Sequence, residues 1–141
     1  MKLTRIRKII LFLSIILFVI ALTQKGFCTT AGQCAIGIVD LLVGWMGVFM
    51  LHPPAMVWLA NPTLVAAWVF IKKNQRTSFI LSVISLVIML SFLLFDEIIV
   101  NESGASSKIT AYGLGYWLWV LSAFIMVVGN TVLYFLKRKE G

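Results

Sequence analysis

The sequence predicts an all-α, polytopic membrane protein: four transmembrane helices plus one short interfacial or re-entrant helix, in a single membrane domain spanning residues 1–141. Three observations lead there. Hydrophobic residues make up 61% of the chain and charged residues 12%, about half the charge of a soluble domain. The apolar residues fall into five long runs. The Lys/Arg side chains cluster where those runs end, as topology determinants do. A chain so poor in polar side chains cannot cover itself in water, and its main solvent partner is the lipid bilayer.

The net charge of +7 is placed accordingly. Lys2, Arg5, Arg7 and Lys8 precede the first run; Lys72, Lys73 and Arg76 lie in "KKNQR"; Lys137, Arg138 and Lys139 close the chain; only Lys25 and Lys108 lie elsewhere. Short clusters abutting apolar runs are not the basic face that nucleic acid needs. No nucleic-acid partner is expected.

The first helix is read at about residues 5–23. Its apolar run, Ile9–Thr23, is 15 residues, or about 22 Å at the helical rise. That is short for a span of ~20 residues and close to a signal-peptide core. "IALTQ" is a poor cleavage site, however, and Arg5, Arg7 and Lys8 can snorkel, so that Leu3 and Ile6 extend the apolar length. The expectation is an uncleaved helix.

The loop at 24–34 holds both cysteines, Cys28 and Cys34. One pair on the oxidising side reads as a disulfide that shapes "CTTAGQC". A thiol oxidoreductase would need a C-x-x-C pair and a second pair to relay electrons. This spacing is wrong for that.

Five runs need not mean five crossings. With the N-terminus inside, five crossings place 5 Lys/Arg inside and 7 outside, whereas four place 10 inside and 2 outside. The positive-inside bias favours four. The extra element is then residues 35–51. There Ile36, Val39, Val43, Met46 and Met50 form an apolar helical stripe, opposite Gly37, Asp40, Gly44 and Gly47. A greasy face backed by a small, polar one suits the outer membrane interface or a shallow re-entry. The three glycines are read as packing positions. Asp40 is expected to be a solvated or hydrogen-bonded interfacial acid; the sharper reading places it in a proton or cation path.

"HPP" ends that element, because proline disfavours helix before itself and lacks the continuing amide. His52, the single histidine, is read as an interfacial residue. Pro53 or Pro54 starts the next helix, at about 54–73. Pro62 should kink it, or Asn61 cap a fresh start. Trp45, Trp58 and Trp68 are read as interface aromatics.

The next helix, 77–95, carries Ser78, Ser82, Ser85 and Met89 at steps of four, three and four, a small-residue seam for close helix packing. The outer loop 96–111 begins with Asp96 and Glu97 and contains the glycosylation sequon "NES" at 101–103. It is the natural contact surface. The last helix, 112–136, has Tyr112, Tyr116, Trp117 and Trp119 at its outer end and Tyr134 before the basic stop, which reads as two aromatic belts. Asn130 should face another helix, as packing glue or as a polar site lining a cavity.

The chain contains no H-E-x-x-H, nucleophile elbow, glycine-rich phosphate loop or His/Cys cluster. No catalytic residue, metal or cofactor is expected. "GW" at 44–45, "WLANP" at 58–62 and "GYWLW" at 115–119 resemble small bacterial inner-membrane proteins of about this length. The resemblance implies a bacterial inner membrane and carries no activity; the charge count, with four crossings, places both termini on the cytoplasmic side. Two functions remain: a non-catalytic accessory, assembly or immunity-type protein acting on a membrane-protein partner or as a homo-oligomer, or a small oligomeric channel or transporter using Asp40 and Asn130.

Overall fold

The computed structural model describes residues 2–100 and 103–141. Asn101 and Glu102 of the sequon therefore lie outside the described residues. The chain runs α1 (Lys2–Thr23), β1 (Lys25–Thr29), β2 (Cys34–Ile36), α2 (Gly37–Phe49), α3 (Pro53–Met56), a 3-10 turn (Val57–Leu59), α4 (Ala60–Lys73) and α5 (Gln75–Ser91). A second 3-10 turn (Phe92–Leu94), β3 (Glu97–Ile99), β4 (Ser106–Tyr112) and α6 (Leu114–Glu140) complete it.

Four helical stretches are long and apolar enough to cross a membrane: Lys2–Thr23, Pro53–Lys73, Gln75–Leu94 and Leu114–Glu140. They pack as a ring in which α1 lies on α6, α6 on α5, and α5 on α4. Small side chains set the spacing. Ile10 of α1 sits against Gly129 of α6, and Ser14 donates a hydrogen bond to the carbonyl of Ser122 at 2.8 Å. Between α4 and α5, Ser78 and Ser85 donate to the carbonyls of Ala67 and Ala60 at 2.7 and 2.9 Å. Ser78, Ser82 and Ser85 are fully buried. The outer surface of the ring is apolar: Phe12, Val19, Val69, Val87, Phe124 and Phe135 are each about half exposed or more.

The all-α expectation fails at one end of the bundle. The loops read at 24–34 and 96–111 fold together into a four-stranded antiparallel sheet of order β2-β1-β4-β3. Cys28 stands opposite Cys34 between β1 and β2, and opposite Ala111 of β4. The strands are three to seven residues long and two pairings carry register shifts, so a clean alternation of period two never develops in the sequence. Pairing across the molecule, not local pattern, makes them strands. Phe27, Phe92, Tyr112 and Tyr116 stack beneath them with centroids 4.9–5.9 Å apart, joining sheet to bundle.

Helix limits also shift. Tyr112 belongs to β4, and α6 begins after Gly113. That junction needs glycine: a Cβ on Gly113 would strike the Lys25 carbonyl, and one on Gly115 would lie 2.9 Å from both the Gln24 and Lys25 carbonyls. Asn61 is not a cap but lies inside the helical stretch. The disturbance expected at Pro62 takes the form of the 3-10 turn just before α4, where the missing amide would have met Trp58.

α2 begins and ends at the same end of the bundle. It starts directly after β2, and at its exit the backbone N–H of Ile99 in β3 donates to His52 Nε2 at 3.4 Å. Its 13 residues span about 20 Å, well short of a ~30 Å hydrocarbon core. The helix closes with paired bonds, His52 N–H to the Gly47 carbonyl and Leu51 N–H to the Val48 carbonyl, a Schellman geometry. Leu51 occupies the left-handed position, with φ of 53°, where glycine is usual.

Candidate functional site

α2 lies across the mouth of the bundle and encloses a cleft of about 170 Å³ beneath the sheet. The walls come from the end of α1, β1, α2, the 3-10 turn, Phe92, Ile98 and the start of α6. α2 can lie this close because its inner stripe is small. A Cβ on Gly37 would fall 2.7 Å from the Ala21 carbonyl, one on Gly44 2.6 Å from Cδ1 of Trp58, and one on Gly47 would strike Ala55. The outer stripe of Ile36, Val39, Val43, Met46 and Met50 is exposed.

The polar atoms in these walls are largely committed. Trp58 Nε1 donates to the Leu41 carbonyl at 2.9 Å, tying the 3-10 turn to α2. Trp119 Nε1 donates to Asn61 Oδ1 at 2.8 Å. The Tyr116 hydroxyl donates to the Met89 carbonyl at 2.9 Å. Asp40 differs. Its carboxylate faces Gly26 in the β1 bulge and has no hydrogen-bond partner among the described residues. Burial without compensation pushes its carboxyl up to about 7, because desolvation penalises the charged form. Asp40 thus stays half-buried at the edge of an apolar cleft and has no protein hydrogen-bond partner among the described residues.

The aromatics divide into outward-facing and inward-facing sets. Trp45, Trp117 and Tyr134 are exposed, with Trp45 Nε1 donating within its own helix to the Leu42 carbonyl. Trp58, Tyr116 and Trp119 turn inward to the cleft. Trp68 lies inside the bundle, donating to Ser14 Oγ at 2.9 Å and edge-on to Phe18. Each inward aromatic finds an internal acceptor, which removes the cost of burying its polar atom. Tyr112 reaches the Phe92 carbonyl at 3.4 Å.

Asn130 is not in the cleft walls. Its amide donates to Ser78 Oγ at 3.1 Å and the Met126 carbonyl at 3.0 Å, while its Oδ1 is buried without a partner among the described residues. The structure does not bring Asp40 and Asn130 together. Cys28 and Cys34 form a disulfide. Among the described residues no group of three His, Cys, Asp or Glu side chains could hold a metal. Gly26, Phe92 and Gly115 were not legible as wall residues, nor was Ser14, a hydroxyl within "FLSIIL", as the link between Trp68 and Ser122.

No protein-family model, curated protein or solved structure matches the chain.

Proposed function

We propose that the chain is a non-catalytic multi-pass protein of a bacterial inner membrane, with both termini and the 72–76 turn cytoplasmic, that acts on another membrane protein. Its working surface is the extracytoplasmic cap: the sheet, and the outward face of α2. The observation that supports this reading is that two loops far apart in sequence are tied into one sheet, with the Thr110 hydroxyl bonded to the Cys28 carbonyl and a disulfide in the adjoining hairpin. A surface ordered before binding loses less entropy on association. The edges of the sheet, β2 and β3, leave backbone groups for strand addition.

The test is photocrosslinking in native membranes from Lys108 on the sheet and Met46 on α2, both exposed. A discrete product with a different membrane protein from both positions is the expected result. Self-products alone, or no product, would refute it. The unpaired Asp40 supports one alternative, a small oligomeric cation channel or transporter. In that reading Asp40→Asn abolishes cation flux in liposomes, whereas Asn130 contributes through its α5–α6 contacts.

A further inference from the structure

We propose that the cleft beneath the sheet is a binding site for an alkylammonium group: a small organic cation with an apolar body, either free or borne on a lipid. This goes beyond the partner reading and stands or falls separately from it.

Three observations combine. The size suits one ammonium head or one ring, since about 170 Å³ is slightly more than a cavity of about 150 Å³ that admits benzene. The cleft is open on one side, so the remainder of a larger cation can extend from it. The walls are rich in aromatic side chains, Phe27, Trp58, Phe92, Tyr116 and Trp119, the residue types that hold quaternary ammonium ions. One acid, Asp40, reaches this cleft from α2, and no described side chain neutralises it. A neutral apolar ligand would leave that carboxylate unpaired. An inorganic cation would leave the aromatic walls unused and find a single carboxylate where bound metal ions take four or more ligands. No group of three His, Cys, Asp or Glu side chains that could hold a metal is present among the described residues. An ammonium on an apolar body satisfies both sets of groups.

The electrostatic surroundings are simple. From β1, Lys25 stands next to Gly26 but is exposed and makes no ion pair with Asp40. From the exit of α2, His52 is engaged by the Ile99 amide. From α6, Tyr116 directs its hydroxyl to Met89. No other charged side chain lines the cleft among the described residues. Proton and organic cation therefore compete for one carboxylate, and because burial has raised it to about 7 the competition falls near neutral pH.

The experiment measures benzyltrimethylammonium binding to the full chain in a neutral detergent, by equilibrium dialysis and calorimetry. Its neutral isostere, neopentylbenzene, serves as control. The expected result is saturable binding at pH 8, at least tenfold weaker at pH 5.5, at least tenfold weaker for the isostere, and at least tenfold weaker in Asp40→Asn. Binding that is pH-independent, equal for the isostere, retained in Asp40→Asn, or not saturable would overturn the proposal. The pH and isostere arms use the unmodified chain, so they decide the matter even where the variant misfolds. Repeating the measurement in vesicles of phosphatidylglycerol with and without phosphatidylcholine separates the sources. Loss of probe binding on adding phosphatidylcholine assigns the site to a lipid headgroup, and unchanged binding assigns it to a free cation.

Discussion

At the scale of single residues, Asp40 is the position where physical chemistry is most exposed. Its carboxyl is raised from 3.8 to about 7, so the folded chain binds more protons than the unfolded one between those values. Stability then falls as pH rises from about 4 to about 7 and is level above that. In Asp40→Asn this component is absent. Thermal unfolding in detergent should show a smaller drop in Tm between pH 5 and 7.5 for the variant than for the parent; equal drops would mean the carboxyl is not desolvated. Two neighbouring positions test the geometry around it. Gly44→Val should displace the Trp58 indole and cost about 1–3 kcal/mol through overpacking, read as a fall in Tm. Leu51 holds φ of 53°, which strains a side-chain-bearing residue. Leu51→Gly relieves that strain at some entropic cost, so it should be neutral or stabilising, whereas Leu51→Val should destabilise. A clearly destabilised Leu51→Gly would contradict the left-handed helix end.

At the scale of elements, the seam between α4 and α5 and the β1–β2 hairpin carry separable contributions. Ser78 both donates to Ala67 and accepts from Asn130, while Ser85 makes a single bond to Ala60. Ser78→Ala strips two partners at once and should cost more than Ser85→Ala, each loss lying within the roughly 0.6–2 kcal/mol seen for such bonds in membrane helices. Denaturant unfolding in mixed micelles would rank them, and the reverse order would mean that the Asn130 amide is satisfied elsewhere. The disulfide closes a loop of sequence separation 6, for which chain entropy gives only about 2 kcal/mol. Replacing Cys28 and Cys34 together with serine should lower stability by about that much and leave the helices folded by circular dichroism. Wholesale loss of helix would show the bundle to depend on its cap.

At the scale of the whole molecule, the sheet fixes which chain segments share an end. β1 and β4 pair, so the four strands lie together, while Lys2, the α4–α5 turn and the C-terminal end of α6 lie at the other end. Positive charge follows the same division, 10 Lys/Arg at the far end against Lys25 and Lys108 at the sheet, and the proposed orientation rests on that asymmetry. Single cysteines placed at Lys73, Lys108 and Lys137 should react with a membrane-impermeant thiol reagent unequally: Lys108 in intact cells, the other two only after permeabilisation. Labelling of Lys73 and Lys108 from the same side would overturn the topology.

The number of long apolar helices, the shortness of α2, its two-faced pattern and the cysteine pairing were all legible in the sequence, because each follows from hydropathy, charge placement or helical period within one segment. The sheet was not. Its strands are too short and too irregular to declare themselves, and they exist because the four-helix ring holds two remote loops side by side. The direction of the aromatics was likewise decided by tertiary structure: an amphipathic ring suits an interface and an interior equally, and only the presence of an acceptor at Ser14, Leu41, Met89 or Asn61 turns it inward. The same holds for Asp40. Sequence placed an acid on the small-residue face of α2, but only the packing of that face against the bundle half-buried it and left it without a hydrogen-bond partner among the described residues.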